Sequence, residues 1–220
     1  MLDPGRWSWE HERRPIAAVG ALGREYPEVH ELVVSRDAVN WARVGNRVPW
    51  LAVGPYQSWD DMVVWTISPL LVGDEIWVYY GGFPFRHQLA DLYSSVEKKN
   101  GRTRQGCIGL CTLRRDGWVA VRPNGRRAGR LVTRSLTFDG SALEVNAQAS
   151  GGKILIEVLE ADGQPLPAFS GANGIILTGD SLRHSVKWRK PLTELQKKPI
   201  RLSFTLEGPV ELYAFQFVGE

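Results

Sequence analysis

The chain has 220 residues, 43% hydrophobic and 23% charged, the composition of a folded globular protein. Its 27 basic and 24 acidic residues leave a net charge of +3, too small a bias to point to nucleic acid. No apolar run approaches the roughly 20 residues that span a bilayer, and the start, Met1 to Trp7, offers no apolar signal core, so a soluble chain without membrane or secretory segment is expected.

Residues 1–28, with Trp7, Trp9, Pro15, Gly20 and Pro27, read as irregular chain with one short strand near Ile16 to Val19. Val29–Ser35 and Trp41–Val44 read as a hairpin, because Asp37 and Asn40 between them bond their own backbone and tolerate turn geometry. After a loop over 45–59 come two strands, Met62–Ile67 and Ile76–Gly81, rich in β-branched and aromatic residues and joined by Val72-Gly73-Asp74-Glu75. A long connection, 83–105, is expected to hold a helical turn over 88–98; loops of that length are often functional. Gly106–Leu113 is a strand, and Asp116-Gly117 signals a hairpin turn to a returning strand, Trp118–Val121.

The Gly- and Arg-rich stretch 122–129 reads as a linker, and its arginines, like the basic run Lys98–Arg104, as solvated loop residues. Beyond it, short strands recur at 130–136, 142–147, 153–159, 181–188, 200–206 and 211–217. Their spacing and the turns between them predict an antiparallel β-sandwich. The fold class expected is therefore all-β. Cys107 and Cys111 fall four apart in one strand, on one face and about 13 Å from each other, too far to bridge. They are expected to be small apolar packing residues, and Trp77 and Trp118 to be core residues.

Four stretches carry a family resemblance. Ser35-Arg36-Asp37-Ala38-Val39-Asn40-Trp41 resembles the S-x-D-G-x-x-W hairpin of five-bladed β-propeller glycosidases, with Ala38 in place of the glycine. Ser68 to Gly82 resembles the S-P-x-x-x-G-D-x-x-x-x-Y-Y-G-G inner-strand hairpin of the next blade, and Ile108 to Trp118 resembles its outer strands. The family is the clan of glycoside hydrolase families 32, 43 and 68; large bacterial relatives carry a β-sandwich after the propeller, and Leu177 to Trp188 resembles its most recognisable segment. The resemblance implies partial propeller blades over 29–121 and a sandwich over 130–220. A complete propeller needs about twenty strands, and only about a blade and a half precedes the sandwich. The family's catalytic carboxylates come mainly from the earlier blades, so no catalytic residue is assigned here and the chain alone is expected to be inactive.

The resemblance implies carbohydrate as the partner. Glycoside hydrolysis needs two carboxyl groups about 5–9.5 Å apart. Asp60 and Asp61 are adjacent, which in a strand sends them to opposite faces, so they do not form that pair with each other. Both are substrate-contact candidates, one of them facing the propeller channel, and a strand-start acid capping a loop is the alternative. Trp59 and Trp65 flank this pair as a candidate sugar platform. Arg86 and His87 follow in the long loop; the resemblance implies substrate contact there, with His87 the place for a divalent cation and no other cofactor expected. A second candidate cluster is Asp180, Arg183 and His184, a ligand site or an Asp–Arg pair pinning a loop. The leading reading is the C-terminal portion of a carbohydrate-active, glycoside-hydrolase-like protein, supplying substrate contacts or support. The alternative is a non-catalytic carbohydrate-binding or interaction module that self-associates through open sheet edges, as a homo-oligomer or with missing N-terminal blades.

Overall fold

A computed structural model describes residues 27–55, 58–85, 106–125 and 127–219. The readings made for 1–26, the helical turn at 88–98, the run Lys98–Arg104, and Arg86 and His87 lie outside the described residues. The protein is all-β: among the described residues, strands in antiparallel sheets are joined by turns and by short 3-10 segments at Gly45–Arg47, Gly171–Asn173 and Leu192–Leu195. The chain divides into two compact units, Met1–Thr112 and Leu113–Glu220.

In the first unit, β1 (Val33–Ser35) and β2 (Trp41–Arg43) form a hairpin paired from Val33–Arg43 to Ser35–Trp41. Its turn is built on one carboxylate. Asp37 Oδ1 accepts from the Asn40 and Val39 amides (2.7 and 2.9 Å) and from Ser35 Oγ (3.0 Å), and Oδ2 accepts from Asn40 Nδ2 (2.7 Å). Trp41 Nε1 then donates to the carbonyl of Ala38 (3.2 Å), which holds a positive φ of 58°. The Ser, Asp and Trp of this motif are thus all turn-closing groups.

The main sheet of this unit centres on β5 (Glu75–Phe83), with β3 (Val63–Thr66) and β4 (Leu70–Val72) end to end on one side and β6 (Cys107–Arg114) also paired to it. Strict alternation along β5 buries Ile76, Val78, Tyr80 and Gly82 on one face, as a period of two requires. Here β3 and β4 are separate strands. Pro69 between them has no N–H for the ladder, and pairing to β5 resumes only at Leu70.

The second unit is organised around β8, 19 residues from Ala142 to Glu160, where two strands were expected. Its first half pairs with β11 (Glu211–Val218) and the far half of β9 (Ile175–Val186); its second half pairs with β10 (Ile200–Glu207) and the near half of β9. β7 (Gly129–Val132) borders β10. The change of partners falls at Ser150-Gly151-Gly152-Lys153, where the β8–β9 register jumps from Ala149–Gly179 to Ile154–Leu177. One core results, with Leu143, Val145, Ala147, Ile154, Ile156 and Val158 of β8 against Leu202, Phe204 and Leu206 of β10.

Three further expectations are corrected. Trp118–Val121 does not return as a strand: residues 115–118 are turn, and Val121 instead exchanges backbone bonds with Leu212 (2.9 and 3.0 Å). The Asp-Gly hairpin turn needs positive φ at both the Asp and the Gly; of Asp116 and Gly117 only Asp116 has it, at 57°. Cys111 is buried but Cys107 is exposed, so only one of the two packs inside, and no disulfide involves either. Trp77 and Trp118 are half-exposed, Trp77 Nε1 donating to Glu75 Oε2 at 2.8 Å, and among the described residues Trp188 is a core tryptophan.

The four bonds to Asp37, led by the backbone and side chain of Asn40, hold its carboxyl well below the usual carboxylate range. A lowered folded value stabilises the turn above the ordinary aspartate pKa, and that stabilisation is lost as pH falls toward the folded value. In an acid titration followed by NMR, the Val39 and Asn40 amide shifts are expected to hold steady down to about pH 4 and to move only in stronger acid. A titration midpoint near pH 4 at these amides would contradict the turn described here.

Candidate functional site

Asp60 and Asp61 precede β3 in turn geometry, so the opposite-face argument does not apply, and both are buried, at 9% and 4% exposure. Asp60 is committed on both oxygens. Ser58 Oγ donates to Oδ1 (2.7 Å) and Tyr80 Oη to Oδ2 (3.1 Å). Burial, with Asp60 beside it, pushes the Tyr80 phenol up and out of its ordinary range, so Tyr80 stays protonated as the donor. Trp59 stacks on Tyr80, ring centroids 5.5 Å apart and 19° from parallel. Glycines make room for this group: a Cβ at Gly54 would lie 2.0 Å from Asp60 Oδ1, and one at Gly82 would lie 2.3 Å from the Trp59 ring. One face of Trp59 is therefore occupied by Tyr80, and Asp60 is a buried hydrogen-bond acceptor that ties the preceding loop to β5.

Trp65 points the other way. It sits in β3 with 41% of its surface exposed. Its Nε1 donates to Glu28 Oε2 (3.1 Å), and its ring meets Phe83 edge-on at 5.3 Å. Glu28 is held in turn by the sheet, its amide donating to the Met62 carbonyl (2.9 Å) and its carbonyl accepting from Val64 (3.2 Å). The result is an exposed indole in a fixed orientation next to an exposed carboxylate. Aromatic side chains of this kind offer contact area with little entropy to lose. Glu28 gave no signal in the sequence, because its place beside Trp65 depends on a bridge between residues 28 and 63.

Asp180, Arg183 and His184 lie in β9 and do not converge as one cluster. Asp180 Oδ1 accepts from Arg114 Nη1 (2.8 Å), and that guanidinium lies 4.6 Å from the centre of the Tyr213 ring. The pairing of Asp180 is thus with Arg114, at the end of β6, and Asp180 itself is half-exposed, which limits the bridge to about 0–1 kcal/mol. His184 Nε2 lies 3.1 Å from the Ala147 carbonyl, across a step in the β8–β9 register. Arg183 is exposed, and its amide donates to Ser181 Oγ (3.0 Å).

Arg86 and His87, with the divalent-cation reading attached to His87, fall outside the described residues. Among the described residues, no three His, Cys, Asp or Glu side chains gather as a metal site. No helix among them is long and apolar enough to cross a membrane. No protein-family model, curated protein or solved structure matches this chain.

Removing the Tyr80 hydroxyl takes the donor from a buried carboxylate oxygen while leaving the stack with Trp59. Tyr80→Phe is expected to cost about 1–3 kcal/mol in urea denaturation. An unchanged unfolding midpoint would show that the Asp60–Tyr80 bond does not hold this loop.

Proposed function

We propose that this chain is the C-terminal portion of a carbohydrate-active, glycoside-hydrolase-like protein, supplying a sugar contact and structural support and not a complete hydrolytic site. The observation supporting this reading is the exposed Trp65 indole, oriented by Glu28 and Phe83. An indole face packs against the C–H face of a sugar ring, while a neighbouring carboxylate accepts from its hydroxyls. The resemblance of 35–41 and 68–82 to propeller glycosidases supports the same substrate class. Hydrolysis needs two carboxyl groups placed on either side of a bound glycosidic bond. Asp60, buried with both oxygens bonded to protein hydroxyls, is poorly suited to be one of them.

A second reading has its own support. All three residues of β4, Leu70, Leu71 and Val72, are exposed. An apolar strand of this kind at a sheet margin favours pairing with another chain, so an assembly module is the alternative.

Calorimetry against a panel of neutral oligosaccharides is expected to find a binder, with Trp65→Ala weakening it by about tenfold or more, the loss of a stacked aromatic anchor. Aryl-glycosides are expected to be left intact. Turnover abolished by Asp60→Asn would overturn the non-hydrolytic assignment. A protein that binds no glycan but sediments as a dimer, and becomes monomeric with Leu71→Lys, would replace the sugar reading with the assembly one.

A further inference from the structure

The second unit contains a cavity of about 210 Å³ lined by Arg115, Asp116, Asn146, Leu182, Arg183 and Gln216. The neighbours of Asn146 in the sheet are irregular on both sides. Between the pairs Val145–His184 and Ala147–Ser181, β9 places two residues, Leu182 and Arg183, opposite Asn146 alone. Between Ala147–Leu212 and Asn146–Ala214, β11 inserts Tyr213. Bulges re-aim side chains and recur beside binding sites. Here they flank one amide. Val145 and Ala147 face the core, so alternation puts Asn146 on the other face of the sheet, where the 115–116 turn covers it. Asn146 Nδ2 donates to the Arg115 carbonyl (2.6 Å), which fixes the turn above the sheet. The turn closes through Gly117 N–H to the Arg114 carbonyl (2.9 Å), with Asp116 in the left-handed region that aspartate tolerates.

The chemistry of the lining is mixed in a specific way. Arg115 and Arg183 are donors only, and no ion pair among the described residues takes the Arg115 guanidinium. Asp116 and Asn146 Oδ1 are acceptors; Asn146 is 5% exposed, and its Oδ1 has no hydrogen-bond partner. Gln216 Nε2 is engaged by Glu144 Oε2 (2.9 Å), which leaves its Oε1 as a further acceptor. An acceptor-only anion such as phosphate would suit the arginines and meet the acceptors unfavourably. A neutral polyol would suit the acceptors and leave the Arg115 guanidinium charge unmatched. We propose that this cavity binds a hydroxylated carboxylate of the sugar-acid class, its carboxylate held by Arg115 and Arg183 and its hydroxyls by Asp116, Asn146 and Gln216. Guanidinium forks match a carboxylate in two parallel bonds. The volume equals that of about seven waters, room for one sugar-sized residue.

This site belongs to the second unit and does not rest on the Trp65 reading. Glucuronate, glucose, acetate and inorganic phosphate are the probes, titrated by calorimetry into the full chain. Glucuronate is expected to bind at one site, and each of the others about tenfold more weakly or worse. Arg115→Ala and Arg183→Ala should each weaken glucuronate about tenfold or more, as loss of a paired charge does. Arg122→Ala should leave it unchanged. Shift mapping of the unmodified protein by NMR, expected at the Asn146 side-chain amide and the Leu182 and Arg183 amides, gives the location without any variant. The proposal is overturned by no glucuronate binding, by equal affinity for glucose, acetate or phosphate, or by shifts confined to the first unit.

Discussion

Strand β8 takes part in nearly all the pairing of the second unit, and its break at Gly151-Gly152 is the constraint on which that unit depends. A Cβ at Gly152 would lie 2.0 Å from the Glu207 carbonyl oxygen, and one at Gly151 would lie 2.6 Å from the Pro209 ring. Only glycine lets the 207–210 turn come this close, and Gly208 in that turn has a φ of 82°. The approach lets β8 leave β11 and join β10 without ending, so apolar residues from both of its halves share one core. Facing pairs such as Ile156–Phe204 and Val158–Leu202 are fully buried there. A one-residue slip in either ladder would turn such a row outward, which is why the register is so strongly specified.

Polar groups do the local fastening in both units, and this limits what they can do chemically. Asp37 closes the β1–β2 turn, Asp60 ties its loop to Tyr80, Asp180 holds Arg114, and His184 meets the Ala147 carbonyl. A carboxylate already satisfied by protein donors is a weak choice for proton transfer or nucleophilic attack. The groups left facing solvent are of another kind, the Trp65 indole beside Glu28 and the arginine-lined hollow under the 115–116 turn. They carry the two binding proposals made above, and they are chemically distinct enough to be separated by neutral and acidic sugars.

The all-β class was legible from alternating β-branched and aromatic runs punctuated by Gly, Pro and Asp, because a period of two is written locally. The β1–β2 hairpin was legible for the same reason, since the partners of Asp37 lie within three residues of it. Ser-Gly-Gly at 150–152 was misleading: it reads as a turn between strands, yet here the glycines serve a close approach by a segment more than fifty residues away. Asp116-Gly117 also misled, because Gly117 does not adopt the left-handed conformation that the hairpin turn requires.

Among site residues, the sequence by itself singled out Asp60, Trp59, Trp65, Asp180, Arg183 and His184 by residue type, and determined that they sit near strand ends or in strands. Their partners were decided only by tertiary structure. Tyr80, Glu28, Arg114 and Asn146 acquire their roles through pairings between distant segments: Asp60 with Tyr80, Trp65 with Glu28, Asp180 with Arg114, and the 115–116 turn with β8. The physical reason is that strand propensity and turn chemistry act over a few residues. Hydrogen-bond partners across a sheet are set by register, and register follows from how the whole apolar face is buried.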